Sequence, residues 1–132
     1  LMDEYEKQIN IEALTMLDIA KKDILPAASK FSKELTDTIA NKKAIGIDLT
    51  YELETAKKVS EYLTEAYQAI MTLENDVKLH EIDDFEKSAF YVRDFIIQDM
   101  AALRKPCDEL EVITSNRDWP FPTYGKLLFG IQ

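Results

Sequence analysis

The sequence predicts an all-α protein: an up-down-up antiparallel bundle of three long kinked helices, followed by an extended C-terminal tail rich in aromatic residues and proline. Two observations predict it. Apolar residues recur in steps of three or four along three stretches of about thirty residues each, which is the period of one helix face. Glycine and proline number only three and four in 132 residues, too few for the tight turns of a β-sandwich or a doubly wound sheet. Neither occurs between Gly46 and Pro106.

The first helix is expected over about residues 3–43. Its stripe runs Ile9, Ala13, Met16, Ala20, Ile24, Ala28, Phe31, Leu35 and Ile39, and Leu14, Leu17 and Leu25 widen it enough to serve two neighbours. Pro26 lacks the amide that would bond the carbonyl of Lys22, so a kink or a junction is expected there. Lys42 and Lys43 suit a helix C-terminus, and Gly46 follows in a short connection.

The second helix, over about 49–80, is capped by Asp48 or Thr50 and carries Glu52 and Glu54 in its first turn. Leu53, Ala56, Val59, Leu63, Ala66, Ile70, Leu73 and Val77 form its stripe. The third, over about 84–116, opens on Asp83-Asp84-Phe85-Glu86, the spacing of a capping box. Its stripe continues from Phe85 and Ala89 through Val92, Ile96, Met100, Leu103, Cys107, Leu110 and Ile113, past a second kink expected near Ala102 to Pro106. Short connections make successive helices antiparallel neighbours. In the tail, 117–132, Pro120 and Pro122 forbid helix, and four of the thirteen aromatic residues lie there. Their apolar faces need a groove of the same bundle or another subunit to cover them.

Composition narrows the function classes. A net charge of −9 with no basic cluster larger than a pair of lysines argues against nucleic acid and against an anionic membrane surface. No apolar run reaches the length of a membrane span, and the N-terminus is too acidic for a signal peptide, so a cytoplasmic protein is expected. Beginning at Leu1 rather than Met, the chain reads as the C-terminal part of a larger one. One Cys and one His allow no internal disulfide, and they make a zinc site or a Cys-His nucleophile improbable.

No constellation carries chemistry. Gly46, Gly125 and Gly130 are too far apart to cradle a phosphate, and a single His cannot complete a carboxylate-histidine di-iron set in a bundle core. The carboxylates read as solvated faces, His80 as a capping or surface residue near a helix end, and Cys107 as a small core residue. Tyr51, Tyr62, Tyr67, Phe90, Tyr91 and Phe95 could line a ligand groove, although aromatics at helical spacing are more often core or inter-subunit contacts. The candidate interaction residues are Trp119, Phe121, Tyr124, Leu127, Leu128 and Phe129. No catalytic, cofactor-binding or metal-binding residue is expected.

Two stretches resemble a known family. Asp23-Ile24-Leu25-Pro26-Ala27-Ala28 followed by Phe31-Ser32-Lys33-Glu34-Leu35, and the tail Trp119-Pro120-Phe121-Pro122-Thr123-Tyr124-Gly125-Lys126-Leu127-Leu128-Phe129, are similar to the C-terminal region of the type III glutamine synthetases. The helical stretch between them, with Met100-Ala101-Ala102-Leu103-Arg104 and Cys107-Asp108-Glu109-Leu110-Glu111, is similar in length and pattern. The tail is the more specific of the two. The resemblance implies a parent enzyme that ligates ammonia to glutamate, using ATP and Mg or Mn at sites upstream of this segment. It also implies partners in the catalytic domain of the parent chain and in sister subunits of a homo-oligomer. None of the family's catalytic positions falls on this sequence. The expected function is therefore a non-catalytic C-terminal helical domain, packing on the catalytic domain and contributing to assembly or regulation, that when excised exposes apolar residues among Trp119, Phe121 and Phe129. The alternatives are a free-standing helical adaptor for a partner helix or peptide, and a helical-bundle enzyme with a carboxylate-bound metal.

Overall fold

The computed structural model describes residues 4–82 and 90–122, and among them helix is the only regular structure. The first helical stretch is α1 (Glu4–Ile19), a π turn (Ala20–Ile24) and α2 (Leu25–Ile45) without a break between them. Its disturbance lies just upstream of Pro26. The Leu25 amide reaches back five residues to the carbonyl of Ala20, a widened turn that makes room for a pyrrolidine ring one position later.

α2 ends on Gly46, whose φ of 75° and ψ of 26° put it in the left-handed region. There the Ile47 amide donates to Lys42 O and the Gly46 amide to Lys43 O, both at 3.2 Å, so two carbonyls of the last turn are satisfied as in a Schellman motif. α3 (Thr50–Ile82) follows. Asp48 caps it as expected, its Oδ1 accepting from the Thr50 hydroxyl at 2.9 Å and the Thr50 amide at 3.4 Å. The capping box at Asp83 to Glu86, and the stripe residues Phe85 and Ala89, lie outside the described residues.

The third helical stretch includes a second π turn (Val92–Ile96) leading into α4 (Ile97–Ile113). Pro106 sits inside α4 with its ring fully buried, and helix continues on both sides of it. As expected, Pro106 does not end the helix, and a π turn that no glycine or proline signals lies earlier, at Val92 to Ile96. A proline removes one hydrogen bond, and here the packing of its ring offsets that loss.

The interior divides into two clusters. One gathers Ala13, Leu17 and Ala20 with Ala66, Ile70, Leu73 and Val77 and with Val92, Ile96, Met100, Leu103 and Cys107. The other gathers Ala28, Phe31 and Leu35 with Val59, Leu110 and Trp119. Ile24 packs against both. Ion pairs join the first helical stretch to α3 at two levels: Lys42 with Glu52 beside the corner, and Lys21 Nζ with Glu74 Oε2 at 2.6 Å farther along.

Candidate functional site

Beyond α4 the chain turns sharply. Thr114 is extended (φ −74°, ψ 137°) and donates its amide to Leu110 O. The amides of Asp118 and Trp119 both donate to Ser115 O at 2.9 Å, and the Arg117 amide donates to Ser115 Oγ at 3.2 Å. Two ion pairs hold this turn to α2: Arg117 Nη2 lies 3.0 Å from Glu34 Oε2, and Lys30 Nζ lies 3.6 Å from Asp118 Oδ1.

With the turn fixed, Trp119 is carried into the second cluster. Only 6% of it is exposed, and Phe121 packs edge-on against it, ring centroids 6.1 Å apart. Of the candidate interaction residues, Trp119 is thus enclosed by its own chain rather than presented, and Phe121 is half-buried. Its own bundle offers the indole an apolar slot between α2, α3 and α4, which removes the need for a partner to cover it. Tyr124, Leu127, Leu128 and Phe129 lie outside the described residues.

A groove of about 610 Å³ runs between the first helical stretch and α4. Met16, Ile19, Ile24, Met100, Leu103 and Cys107 form its apolar floor, with Glu12 and Thr15 on one rim and Arg104 and Asp108 on the other. The six aromatics that could have lined a groove do not line this one. Tyr51 and Tyr67 are exposed, and Tyr62 packs against the second cluster beside Glu109, whose negative charge raises its phenol above the usual range. Phe90, Tyr91 and Phe95 pack edge-on or tilted against one another, centroids 5.3 to 6.1 Å apart, with Phe90 47% and Phe95 39% exposed.

Other ionisable groups also depart from their ordinary behaviour. Asp99 is pushed up to about 7, first by burial and then by Asp76, which hydrogen-bonds to it and repels its charge; its Oδ2 is buried without a hydrogen-bond partner. Burial, aided by Asp108, raises the Cys107 thiol to about 11, which suits a core residue and not a nucleophile. Glu52 is held below the usual carboxylate range by its hydrogen bond from Lys42.

The spacing of apolar residues gave no sign of the buried polar groups. Glu6, Glu52 and His80 are 2%, 7% and 2% exposed, so His80 is not the surface residue its place near a helix end suggested. Among the described residues no three His, Cys, Asp or Glu side chains converge on a common point where a metal could sit. No described helix is long and apolar enough to cross a membrane.

The family described as glutamine synthetase C-terminal domain matches residues 1–43, which includes the Asp23 to Leu35 stretch, the less specific of the two resemblances. The whole chain aligns at 31% identity with a glutamine synthetase of Butyrivibrio fibrisolvens, covering 19% of that protein. A type-3 glutamine synthetase of Dictyostelium discoideum aligns at 27% identity over 98% of this chain and 18% of its own length, and a glutamine synthetase of Bacteroides fragilis at 24% over 97% and 18%. The chain spans about a fifth of the length of these relatives. The chain is thus similar over residues 1–43 to the glutamine synthetase C-terminal domain family and, over its whole length, to a part of these glutamine synthetases.

Proposed function

We propose that this chain is a non-catalytic helical domain of a glutamine synthetase, which packs on the catalytic domain of its parent chain and on sister subunits and so contributes to assembly or regulation of a cytoplasmic homo-oligomer. The observation that carries the reading is the aromatic trio Phe90, Tyr91 and Phe95, packed edge-on or tilted against one another yet with two rings more than a third exposed. Preordered aromatic surface of this kind is costly to leave in water and typical of protein contacts. In this reading the partner is the four-fifths of the enzyme that the relatives possess beyond this segment. ATP and Mg or Mn, the cofactors of the parent reaction, belong to that larger part. No convergent set of donors among the described residues fits a metal.

The same proposal takes the three helical stretches as an up-down-up antiparallel bundle. Supporting it, Lys42 pairs with Glu52 and Lys21 with Glu74, while Asp99 meets Asp76 and Tyr62 meets Glu109. In each pair of stretches the residue numbers rise on one side as they fall on the other.

The experiment is deletion of residues 1–132 from the parent enzyme, alongside the double substitution Phe90→Ser and Phe95→Ser. Loss of the oligomer in analytical ultracentrifugation with both variants is expected. An enzyme that assembles and turns over normally without the domain overturns the proposal.

A further inference from the structure

We infer that the groove between α1 and α4 seats an amphipathic helix with basic flanks, supplied by the rest of the parent enzyme. The inference rests on the reading above, in which the four-fifths of the relatives beyond this segment have their counterpart around this domain. The groove's floor is apolar, and Ile11 on its edge is left 58% exposed. A helix suits such a seat better than an extended segment. Both walls are helices whose backbone groups are already paired, so a strand laid there would find no partners for its amides and carbonyls, whereas a helix brings its own. A fourth helix also buries both walls at once, as in a four-helix bundle.

The rim charges say what that helix carries. Lys21, Lys22, Lys33 and Lys42 on the first stretch each pair with a carboxylate. The rim charges Glu12, Arg104 and Asp108 form no ion pair among the described residues, although Arg104 and Asp108 are one helical turn apart. Glu12 accepts only from the side-chain amide of Gln8, at 3.4 Å. Two carboxylates against one guanidinium make the rim net negative, and a helix with more cations than anions on its flanks complements it.

The register sets the spacing. Lys21 pairs with Glu74, and two residues along α3 Asp76 meets Asp99, so Ala20 and Met100 stand at nearly one level. Glu12 lies eight residues before that level and Asp108 eight after it. On the parallel course that an up-down-up bundle gives these two stretches, the carboxylates are about 24 Å apart, the length of about sixteen helical residues. A basic residue near each end of such a helix reaches both.

The test reads how well one rim residue is covered. Thr15 is exposed and lines the groove, so Thr15→Cys leaves the core intact, and Cys107, with its raised thiol, contributes little background at pH 7.5. Maleimide labelling at position 15, followed by mass spectrometry, should be at least tenfold slower in the parent enzyme than in the 132-residue chain. Circular dichroism establishes that the isolated chain is helical. Within the enzyme, adding Glu12→Lys with Asp108→Lys should raise the rate at least fivefold. Glu54→Lys with Glu61→Lys, an equal change of charge on the exposed face of α3, should not. If the isolated chain is not helical, this second comparison decides alone. Equal rates in enzyme and folded chain, both fast or both slow, overturn the proposal, as does a rate that reversing the rim leaves unchanged. A rate in the isolated chain that falls with its concentration means a second copy and overturns it too. Carbodiimide joins Glu12 or Asp108 to a lysine in contact, and the joined segment should have apolar residues at i, i+3, i+4 and i+7. A segment without that spacing, or one of this chain itself, overturns the helix. An oligomer that survives loss of the domain sinks the assembly reading and leaves these rates as they are, whereas an unprotected Thr15→Cys in an oligomer that needs the domain sinks only the groove.

Discussion

The carboxylate of Asp118 is wholly enclosed, and the nearest cation, the ammonium of Lys30, stands 3.6 Å from its Oδ1 with 69% of the lysine side chain in solvent. Neither carboxylate oxygen has a hydrogen-bond partner. Such an enclosed acid depends on its one neighbouring charge, so removing the cation should cost more than removing the pair. Lys30→Met is expected to destabilise the domain by about 1 kcal/mol. Adding Asp118→Asn should recover most of that loss in thermal unfolding, whereas an additive loss would contradict the dependence.

Trp119 offers a graded test of how firmly the turn is held. Trp119→Ala empties a buried slot and should cost about 3 kcal/mol, as large-to-small substitutions in cores do. Its Nε1 is buried without a partner, so Trp119→Phe forfeits no hydrogen bond and should cost about 1 kcal/mol. Denaturant midpoints of the two variants give the comparison. Near-native stability of Trp119→Ala would mean that the ring is not held in its slot in solution.

Asp99 makes stability depend on pH. Its pKa in the fold is about 7 against 3.8 for the free group, so its contribution is fully present below pH 3.8 and is lost as pH rises through 7. Asp99→Asn removes the cost of ionising beside Asp76. The variant should melt above the parent at pH 8, with the difference shrinking toward pH 4. Parallel melting curves across that range would contradict the assignment.

Gly46 isolates a purely backbone effect. A Cβ added there would meet nothing within 4 Å, yet the φ of 75° is one that side chains rarely adopt. Gly46→Ala should therefore cost about 1 kcal/mol from conformation alone, and Gly46→Asn less. A cost well above this in urea unfolding would point to a contact rather than to backbone.

Much of the interior was legible because burial follows the helical period. Ala13, Ala20, Ala28, Phe31 and Leu35 on the first stretch are buried, as are Val59, Ala66, Ile70, Leu73 and Val77 on α3 and Val92 through Leu110 on the third. Leu14 and Leu53, at 46% and 41% exposed, break the rule, since spacing does not reveal how wide a stripe the neighbours cover. The two π turns were not legible: Pro26 lies just after the first, and no glycine or proline marks the second. Burial of Glu52 was hidden because its partner Lys42 lies across a corner and off the helix that carries it. The groove was also invisible, being a property of two distant stretches and of what fails to fill the space between them.

Ile24, at the end of the first π turn, is where the two clusters touch. Two clusters that share only this side chain are expected to open as separate foldons. The lone indole sits in one of them, so its fluorescence keeps time for that end alone. Amide exchange at Leu73 or Leu103 follows the other clock, and under mild denaturant the two readings diverge.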